Sequence, residues 1–407
     1  MMRILHTSDW HLGHVLYGYD RSTEQAGMMR QVAEIAAREQ PDVMVVTGDI
    51  YHQTNPSTAT QRLFTEGLLT IRRACPAMTI VVTAGNHDSP SRLEADSSLW
   101  EEVGVTVVGR IERREDGTAD WERQIVEVRR GADGTVAGYV AAMPHVYPQN
   151  FPSPDDDTPR EERAARCFQT LLDRVEARNR DDLPVVLTAH LAVNGSDTAG
   201  HDLTVGGMEW TPLASLGQGY DYLALGHIHC PQDVPRSLHR ARYCGTPLPV
   251  SFDETYTHSV TIVDLERHCR PVVRTVEIGN PIPLITLPEQ PEGLEEALKA
   301  LEQWPDTAAA YIRLHVRTDD SYLPADAMTR ALALTEGKAC RMCLIKMVRQ
   351  GRTETGGEGA AFTLQEVQET SPLDIARQYY REREGREMSD EMAELMRTAI
   401  NKVKSEE

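Results

Sequence analysis

Five short apolar runs in this sequence each end in side chains that can bind a metal ion. They are residues 4–8 before Asp9 and His11, 43–48 before Asp49, 80–85 before Asn86 and His87, 185–189 before His190, and 222–226 before His227 and His229. Apolar runs of this length are typical of buried strands. Because ligands gather at the carboxyl ends of strands in α/β sheets, we expect these residues to meet in one site.

The donors in this set are carboxylates, imidazoles and one amide. Hard oxygen combined with imidazole suits Mn²⁺ or Fe²⁺, whereas Mg²⁺ sites are nearly all oxygen. The set is too large for one ion. Two ions about 3.5–4 Å apart, joined by a bridging carboxylate, can clamp a phosphodiester and activate a hydroxide. The pattern therefore predicts two divalent metal ions, Mn²⁺ or Fe²⁺.

The segments between these runs must position the site. In the first half, β-branched apolar runs alternate with helix-period segments, which is the pattern of an α/β layered fold. Ser22 and Gln25 form a predicted capping box for one helix, and Asn55-Pro56 supplies the N-cap and first residue of the next. Residues 112–180 are polar and rich in Asp, Arg and Pro, and we interpret them as an insertion of undetermined structure.

The character of the sequence changes after residue 279. We predict four segments: a domain at 1–279 that carries the site, a small α+β domain at 280–350, a glycine-rich linker at 351–363, and helices at 364–407. Ser389 is the predicted cap of the last helix, whose apolar face includes Met392, Leu395 and Ile400. That face either folds back onto its own domain or docks onto a partner protein.

Composition limits the classes of function. The chain has 407 residues, 40% of them hydrophobic and 26% charged, which is typical of a soluble protein with two or three domains. No apolar run approaches the ~20 residues needed to span a membrane, and the strand-like residues 3–7 leave no room for a signal peptide. We expect a cytoplasmic protein. A net charge of −20 counts against DNA binding over the whole surface, so any contact with DNA must be local, metal-mediated or shared with a partner.

The ligand set resembles the signature of the calcineurin-like metallophosphoesterases, with Asp9-Trp10-His11, Gly48-Asp49, residues 85–88 (GNHD), His190 and residues 226–229 (GHIH) in the family's order. The resemblance implies a layered β-sandwich flanked by helices. It also implies one metal held by Asp9, His11, Asp49 and His229, and a second held by Asp49, Asn86, His190 and His227. Asp49 is then the bridge, and His87 is the family's non-ligand histidine that stabilises developing charge or protonates the leaving oxygen.

Three longer segments are similar to the SbcD nuclease subunits of bacterial SbcCD complexes: residues 8–13 (SDWHLG), 48–52 (GDIYH) and 243–254 (YCGTPLPVSFDE). This resemblance implies a Mn²⁺-dependent DNA nuclease with 3′→5′ exonuclease activity on double strands and endonuclease activity on single strands and hairpins, working in DNA repair and recombination. It also implies that the small domain caps the nuclease domain and that the C-terminal helices bind an SbcC-type ATPase. A homodimer through the nuclease domain and a substrate contact for His52 follow from the same resemblance.

Two other functions stay open. The two-metal site recognises a phosphate and not the groups attached to it. The substrate could therefore instead be a nucleotide or another small phosphodiester. A non-catalytic scaffold is the third hypothesis, although a degenerate site is expected to lack ligands and none is missing here.

The remaining histidines receive a structural or solvated interpretation, because a lone histidine usually has no chemical role. They are His6, His14, His145, His201, His239, His258, His268 and His315. For His52 the alternative to a substrate contact is a place in the loop before the second helix, and Trp10 is predicted to pack.

Overall fold

The computed structural model describes residues 1–115, 118–130, 134–152, 158–199, 210–318, 323–349, 389 and 392–393. The chain divides into two compact units, Met1–Val348 and Arg349–Glu407. The predicted linker at 351–363 and nearly all of the predicted helices at 364–407 lie outside the described residues, as does His201. In the second unit the Met392 N–H donates to Ser389 Oγ over 3.3 Å, the contact expected of the predicted helix cap.

A six-stranded sheet, here called the first sheet, contains the strands that end at Asp9, Asp49 and Asn86. Its strand order is Val272–Glu277, Ser259–Leu265, Met2–Thr7, Val43–Thr47, Thr79–Thr83 and Val105–Val108. The last four strands run parallel, and the first two pair antiparallel. The carboxyl ends of the parallel strands therefore lie along one edge of the sheet.

A second six-stranded sheet carries the other predicted ligands. Its order is Gln232–Asp233, Ala241–Tyr243, Tyr222–Gly226, Val185–His190, Thr135–Ala142 and Ile125–Arg130. The four inner strands run parallel, whereas the two edge strands are antiparallel. The last two strands in this order come from the region 112–180, which shows that the predicted insertion belongs to the core.

The two sheets face each other across an apolar layer. Ile4, Val45 and Val81 of the first sheet belong to the same buried cluster as Val140 and Val186 of the second. Helices cover both outer faces, because two further clusters join each sheet to the helices beside it. The layers run helix, sheet, sheet, helix, which confirms the predicted α/β β-sandwich flanked by helices.

Seven helices lie within the described residues, and none of them is long and apolar enough to cross a membrane. They are α1 Ser22–Glu39, α2 Thr58–Ala74, α3 Pro90–Leu93, α4 Ser97–Glu102, α5 Arg163–Arg178, α6 Leu294–Glu302 and α7 Ala327–Thr335. Short 3-10 turns occupy Glu122–Gln124, Pro148–Asn150, Arg160–Glu162 and Leu213–Leu216. Two-stranded ribbons pair Val15–Leu16 with Tyr19–Asp20, Glu112–Arg113 with Ala119–Asp120, and Ala192–Val193 with Trp210–Thr211.

Both predicted helix starts were wrong in detail. The N-cap of α1 is Arg21, without a side-chain cap, and Gln25 instead bonds to the loop after the first strand. The N-cap of α2 is Ser57, whose hydroxyl accepts the Thr60 N–H, and not Asn55.

A three-stranded sheet follows residue 280, in the order Leu284–Glu292, Tyr311–Thr318 and Arg341–Arg349. Together with α6 and α7 it forms its own apolar cluster around Leu298, Ile312 and Leu314. Tyr311, the first residue of its central strand, also packs with Leu16 and Phe252 from the part of the chain before residue 280. This is the α+β composition expected for 280–350, while the domain boundary itself stays a prediction.

Candidate metal centre

The loops that carry the predicted ligands are locked together by backbone hydrogen bonds. The Asp9 N–H donates to Gly48 O over 3.0 Å, and the His11 N–H donates to Asp49 O over 3.0 Å. Asp9, His11 and Asp49 all have left-handed backbone angles, with φ of +51°, +43° and +49°. Such conformations are unfavourable for residues with a side chain and persist where the surroundings impose them, typically at functional sites.

Gly48 lets the first and second sheets approach each other at this edge, and Gly85 lets two neighbouring ligand loops of the first sheet approach. A Cβ on Gly85 would overlap the carboxylate and amide nitrogen of Asp49, and a Cβ on Gly48 would overlap the ring of His190. Glycine is therefore required at both positions by close approach.

Asp9, His11 and His229 form one cluster, with one candidate ligand atom from each within 4.8 Å of the others. His11 Nε2 and His229 Nε2 are 3.1 Å apart. The ring of His229 donates from Nδ1 to Glu254 Oε1 over 2.7 Å, so its Nε2 presents a lone pair when the ring is neutral. Two imidazole nitrogens converging beside a carboxylate fit a divalent cation.

Asp9, Asp49 and His190 form a second cluster of the same tightness. His190 Nδ1 donates to Thr47 O over 2.9 Å, which turns Nε2 towards Asp49 Oδ1 at 3.4 Å and Asn86 Oδ1 at 2.9 Å. Asn86 Oδ1 is also 3.1 Å from His227 Nδ1. The structure thus brings all of the predicted ligands to one edge of the two sheets.

Asp9 belongs to both clusters, and the Asp49 carboxylate of the second cluster also faces the first. Asp49 Oδ1 faces His190, while Asp49 Oδ2 is 3.8 Å from His11 Nε2. The His87 N–H donates to Oδ1 over 2.9 Å and fixes the orientation of the carboxylate. One oxygen is therefore directed at each cluster, which is the geometry needed for a bridging ligand.

The electrostatic field of the site favours positive charge. Burial lowers the pKa of His190, but the Asp49 and Asp9 carboxylates outweigh burial and raise that pKa to about 9. Burial also acts to raise the pKa of Asp49, yet the neighbouring histidines, His190 foremost, hold it well below its usual range. A place where buried carboxylates stabilise an imidazolium also favours a divalent cation, so the residues present fit the predicted metals.

His52 and His87 lie beside this centre and are less buried than most of the predicted ligands. A ring nitrogen of each comes within 4.8 Å of His11. The His87 ring donates from Nδ1 to the backbone carbonyl of His52 over 2.9 Å, and the two rings stack at 5.7 Å. Burial lowers the pKa of His52, which favours the neutral form of its ring. Both predicted catalytic histidines therefore border the metal clusters.

Asp88, Gln25 and Glu254 support the ligands, a role that sequence reasoning missed. The Asp88 carboxylate accepts the N–H groups of Gly85, Ile50 and Tyr51 over 2.8–3.1 Å, tying two ligand loops together. Gln25 accepts the Gly13 N–H and donates to His11 O. For Asp88 and Glu254 the available signal was proximity to the motifs, since Asp88 directly follows His87 and Glu254 ends the segment 243–254.

His14 and His145, which the sequence predicted to be structural or solvated, also contact the site. The His14 ring lies 4.6 Å from the His52 ring, and His145 Nδ1 donates to His190 O over 3.0 Å. His6 instead bonds inside the sandwich to Tyr222 and Thr47, a structural role. Trp10 packs against Phe64 as predicted.

Comparison with known proteins gives matches over most of the chain. Residues 2–231 match the calcineurin-like phosphoesterase family, and residues 280–384 match the family described as type 5 capsule protein repressor C-terminal domain. A relative from Rhodobacter capsulatus, named as the SbcD subunit of the nuclease SbcCD, is 33% identical over 91% of this chain and 92% of its own length. Proteins of the same name from Bacillus subtilis (33% identical, covering 78% of this chain and 80% of the relative) and Escherichia coli K12 (28%, covering 90% of each) are also similar.

Proposed function

The chain belongs to the calcineurin-like phosphoesterase family and, within it, to the SbcD nuclease subunits, and from this membership we propose how it works. It is a metal-dependent nuclease of an SbcCD-type complex. We propose that it hydrolyses DNA phosphodiester bonds with two metal ions, as a 3′→5′ exonuclease on double strands and an endonuclease on single strands and hairpins, in DNA repair and recombination. The observation that carries this proposal is the Asp49 carboxylate, which directs one oxygen at each of two adjoining ligand clusters.

The proposed first metal is held by Asp9, His11, Asp49 and His229, and the second by Asp49, Asn86, His190 and His227. When bound, the two ions supply positive charge that stabilises the reacting phosphate and acidifies the attacking water. The mixture of imidazole and oxygen donors favours Mn²⁺ or Fe²⁺ over Mg²⁺, and we propose Mn²⁺.

The protein's own contribution is to hold these ligands rigidly. The His227 N–H donates to the Asp9 carboxylate over 3.0 Å, and the Ser8 hydroxyl donates to the same carboxylate. The His190 ring donates to Thr47 O, and the His87 N–H donates to the Asp49 carboxylate. Such outer contacts orient ligands and raise metal affinity.

His87 is the proposed proton donor to the leaving oxygen. Because Nδ1 donates to the His52 carbonyl, Nε2 is the ring atom on the opposite side that can exchange a proton with substrate. The stacked His52 ring lies beside His87, and we propose that it contacts the phosphate region.

The partner contacts are also proposals. Relatives named as the SbcD subunit of SbcCD support an SbcC-type partner. We propose that this partner is an ATPase and that the C-terminal helices bind it. We further propose a homodimer through the nuclease domain. The cytoplasm is the proposed location, because that compartment would hold the DNA substrate.

The test is Mn²⁺-dependent cleavage of an end-labelled linear duplex and a DNA hairpin by the purified chain, with and without its SbcC-type partner and ATP. Asp49→Ala and His87→Ala should both abolish cleavage. His268→Ala is the matched control, since this exposed histidine pairs with Asp182 and not with a predicted ligand.

Equilibrium dialysis with Mn²⁺ separates the two roles. Asp49→Ala should lose bound metal, whereas His87→Ala should retain both ions and lose only cleavage. If neither DNA is cut under any of these conditions while a small phosphodiester is hydrolysed, the DNA assignment is wrong.

A further inference from the structure

Glu254 is a fully buried carboxylate beside the first metal cluster, at the end of the segment 243–254. Its side chain is 0% exposed, although it lies in a loop. Burying a carboxylate is unfavourable unless hydrogen bonds and charges compensate. A buried carboxylate in a loop at the edge of a metal centre therefore calls for a physical explanation.

The hydrogen bonds of Glu254 fix its direction. Oε1 accepts the ring N–H of His229 over 2.7 Å. Oε2 accepts the Thr246 hydroxyl over 3.1 Å and the Val250 N–H over 3.2 Å. One oxygen is thus tied to its own loop, and the other is directed at the His229 imidazole.

The loop itself is anchored to the sandwich. The Arg21 guanidinium, at the start of α1, donates to the carbonyl of Pro249. The Thr246 N–H donates to His229 O over 3.1 Å, so the loop and the His229 backbone are also joined. Glu254 is therefore held in place by groups other than the His229 ring.

The hydrogen bond to Glu254 selects one tautomer of His229. With hydrogen on Nδ1, a neutral imidazole carries its lone pair on Nε2, the atom 3.1 Å from His11 Nε2 and inside the cluster with Asp9. In the other tautomer that lone pair would face the carboxylate, and Nε2 would present a hydrogen where a cation must bind.

We propose that Glu254 is a positioning residue that locks His229 in the Nδ1–H tautomer and directs its Nε2 lone pair to the first metal. The inference rests on the metal ligation proposed above and adds a residue to it. Carboxylates in this outer position raise the basicity of the ligating imidazole, and their loss weakens metal affinity by roughly 10- to 100-fold.

The test is Mn²⁺ titration of the full-length chain, followed by the electron paramagnetic resonance of free Mn²⁺. For Glu254→Ala we expect one of the two ions to bind roughly 10- to 100-fold more weakly, with the other little changed. Glu254→Gln keeps an acceptor but loses the charge, and should show a smaller loss. The matched control is Asp253→Asn, because the neighbouring Asp253 pairs with Arg313 and Lys346 and not with a ligand.

A second readout does not depend on bound metal. In metal-free protein, at a pH high enough to keep the ring neutral, the imidazole ¹⁵N shifts of His229, assigned with a His229→Ala variant, should show the Nδ1–H tautomer in the native chain and a mixture in Glu254→Ala. A purely structural role would leave this signature unchanged. If Glu254→Ala fails to fold, the Gln variant carries the test.

Two outcomes separate this inference from the proposed function. If His229→Ala weakens Mn²⁺ binding but Glu254→Ala and Glu254→Gln bind both ions as the native chain does, the inference is wrong and the metal site stands. If His229→Ala itself binds both ions normally, the proposed ligand assignment is wrong as well.

Discussion

At the shared edge of the two six-stranded sheets, ionisable side chains are buried: Asp9, Asp49 and His190 are at most 2% exposed. In the three-stranded sheet the fully buried residues Ile312, Leu314 and Val316 are apolar, and most charges lie at the surface. Both regions are well packed, but the sheet edge buries several carboxylates and imidazoles close together, whereas the small sheet buries the single guanidinium of Arg313 among its described residues, paired with Asp253. Titratable groups with strongly shifted pKa values cluster at functional sites, so the difference supports function at the sheet edge and structural support in the small sheet.

The largest effect is expected from Leu314→Ala, which tests whether the small sheet contributes stability and not metal binding. Leu314 is fully buried in the small sheet's cluster, and truncating such a residue costs about 2–5 kcal/mol. We expect the free energy of unfolding in urea to fall by that amount while the Mn²⁺ affinity of the folded chain is unchanged. A large loss of Mn²⁺ affinity in folded protein would contradict the division of roles.

Gly85→Ala tests the opposite region. A Cβ here would collide with Asp49, so we expect cleavage to fall by about 100-fold or more, the effect of misplacing a reacting group by about 1 Å. Gly337→Ala, in the small-sheet region, is the matched control because a Cβ there meets nothing within 4 Å. Its φ of +80° should cost about 1–2 kcal/mol of stability and leave the cleavage rate unaltered. An equal loss of cleavage in Gly85→Ala and Gly337→Ala would contradict the assignment of function to the sheet edge and of structural support to the small sheet.

Acid should weaken the sandwich through His6. Burial lowers the pKa of His6 to about 3, below its unfolded value near 6.5, so the unfolded chain binds the proton first as pH falls. Stability is then fully present above pH ~6.5 and is lost below it, by about 2 kcal/mol per histidine at pH 5. Urea unfolding of metal-free protein at pH 7.5 and 5 should show this loss, and His6→Gln should reduce it. An unchanged pH dependence in the variant would assign the effect to other groups.

The smallest effect is expected from the ion pair between the small sheet and the segment 243–254. Arg313 Nη1 lies 2.6 Å from Asp253 Oδ1, but the Asp253 side chain is 55% exposed. Exposed pairs contribute about 0.2–1 kcal/mol. A double-mutant cycle with Arg313→Gln and Asp253→Asn should give a coupling energy in that range. A coupling energy of several kcal/mol would mean that this ion pair contributes as strongly as the buried charges at the sheet edge.

The convergence of the candidate ligands could be predicted because it follows from a general rule. Each ligand follows an apolar run, and the carboxyl ends of parallel strands share an edge, so residues as distant in sequence as Asp9 and His227 had to meet. The supporting residues could not be found this way. Gln25 bonds to His11 and Gly13 from a helix, and its sequence context fits a capping box equally well.

The region 112–180 was the main failure of sequence reasoning about the fold. The strand Ile125–Arg130 lies at the edge of the second sheet and ends in the exposed Arg129 and Arg130. Its neighbour Thr135–Ala142 contains the small residues Ala137 and Gly138. Edge position and small residues both weaken the apolar alternation that identifies a strand, so only the tertiary structure could place these segments.

The hydrogen bonds from His190 to Thr47 and from His227 to Asp9 join the two sheets at the metal edge. Any ion that is bound by residues of both sheets is bound by the folded chain alone, so its binding energy is added to folding. At an Mn²⁺ concentration 100 times the dissociation constant, this linkage contributes about 2.7 kcal/mol. The melting temperature then becomes a gauge of metal occupancy, and a chelator should lower it in the absence of any DNA. Metal supply would thereby set how long the nuclease persists as well as how fast it cuts.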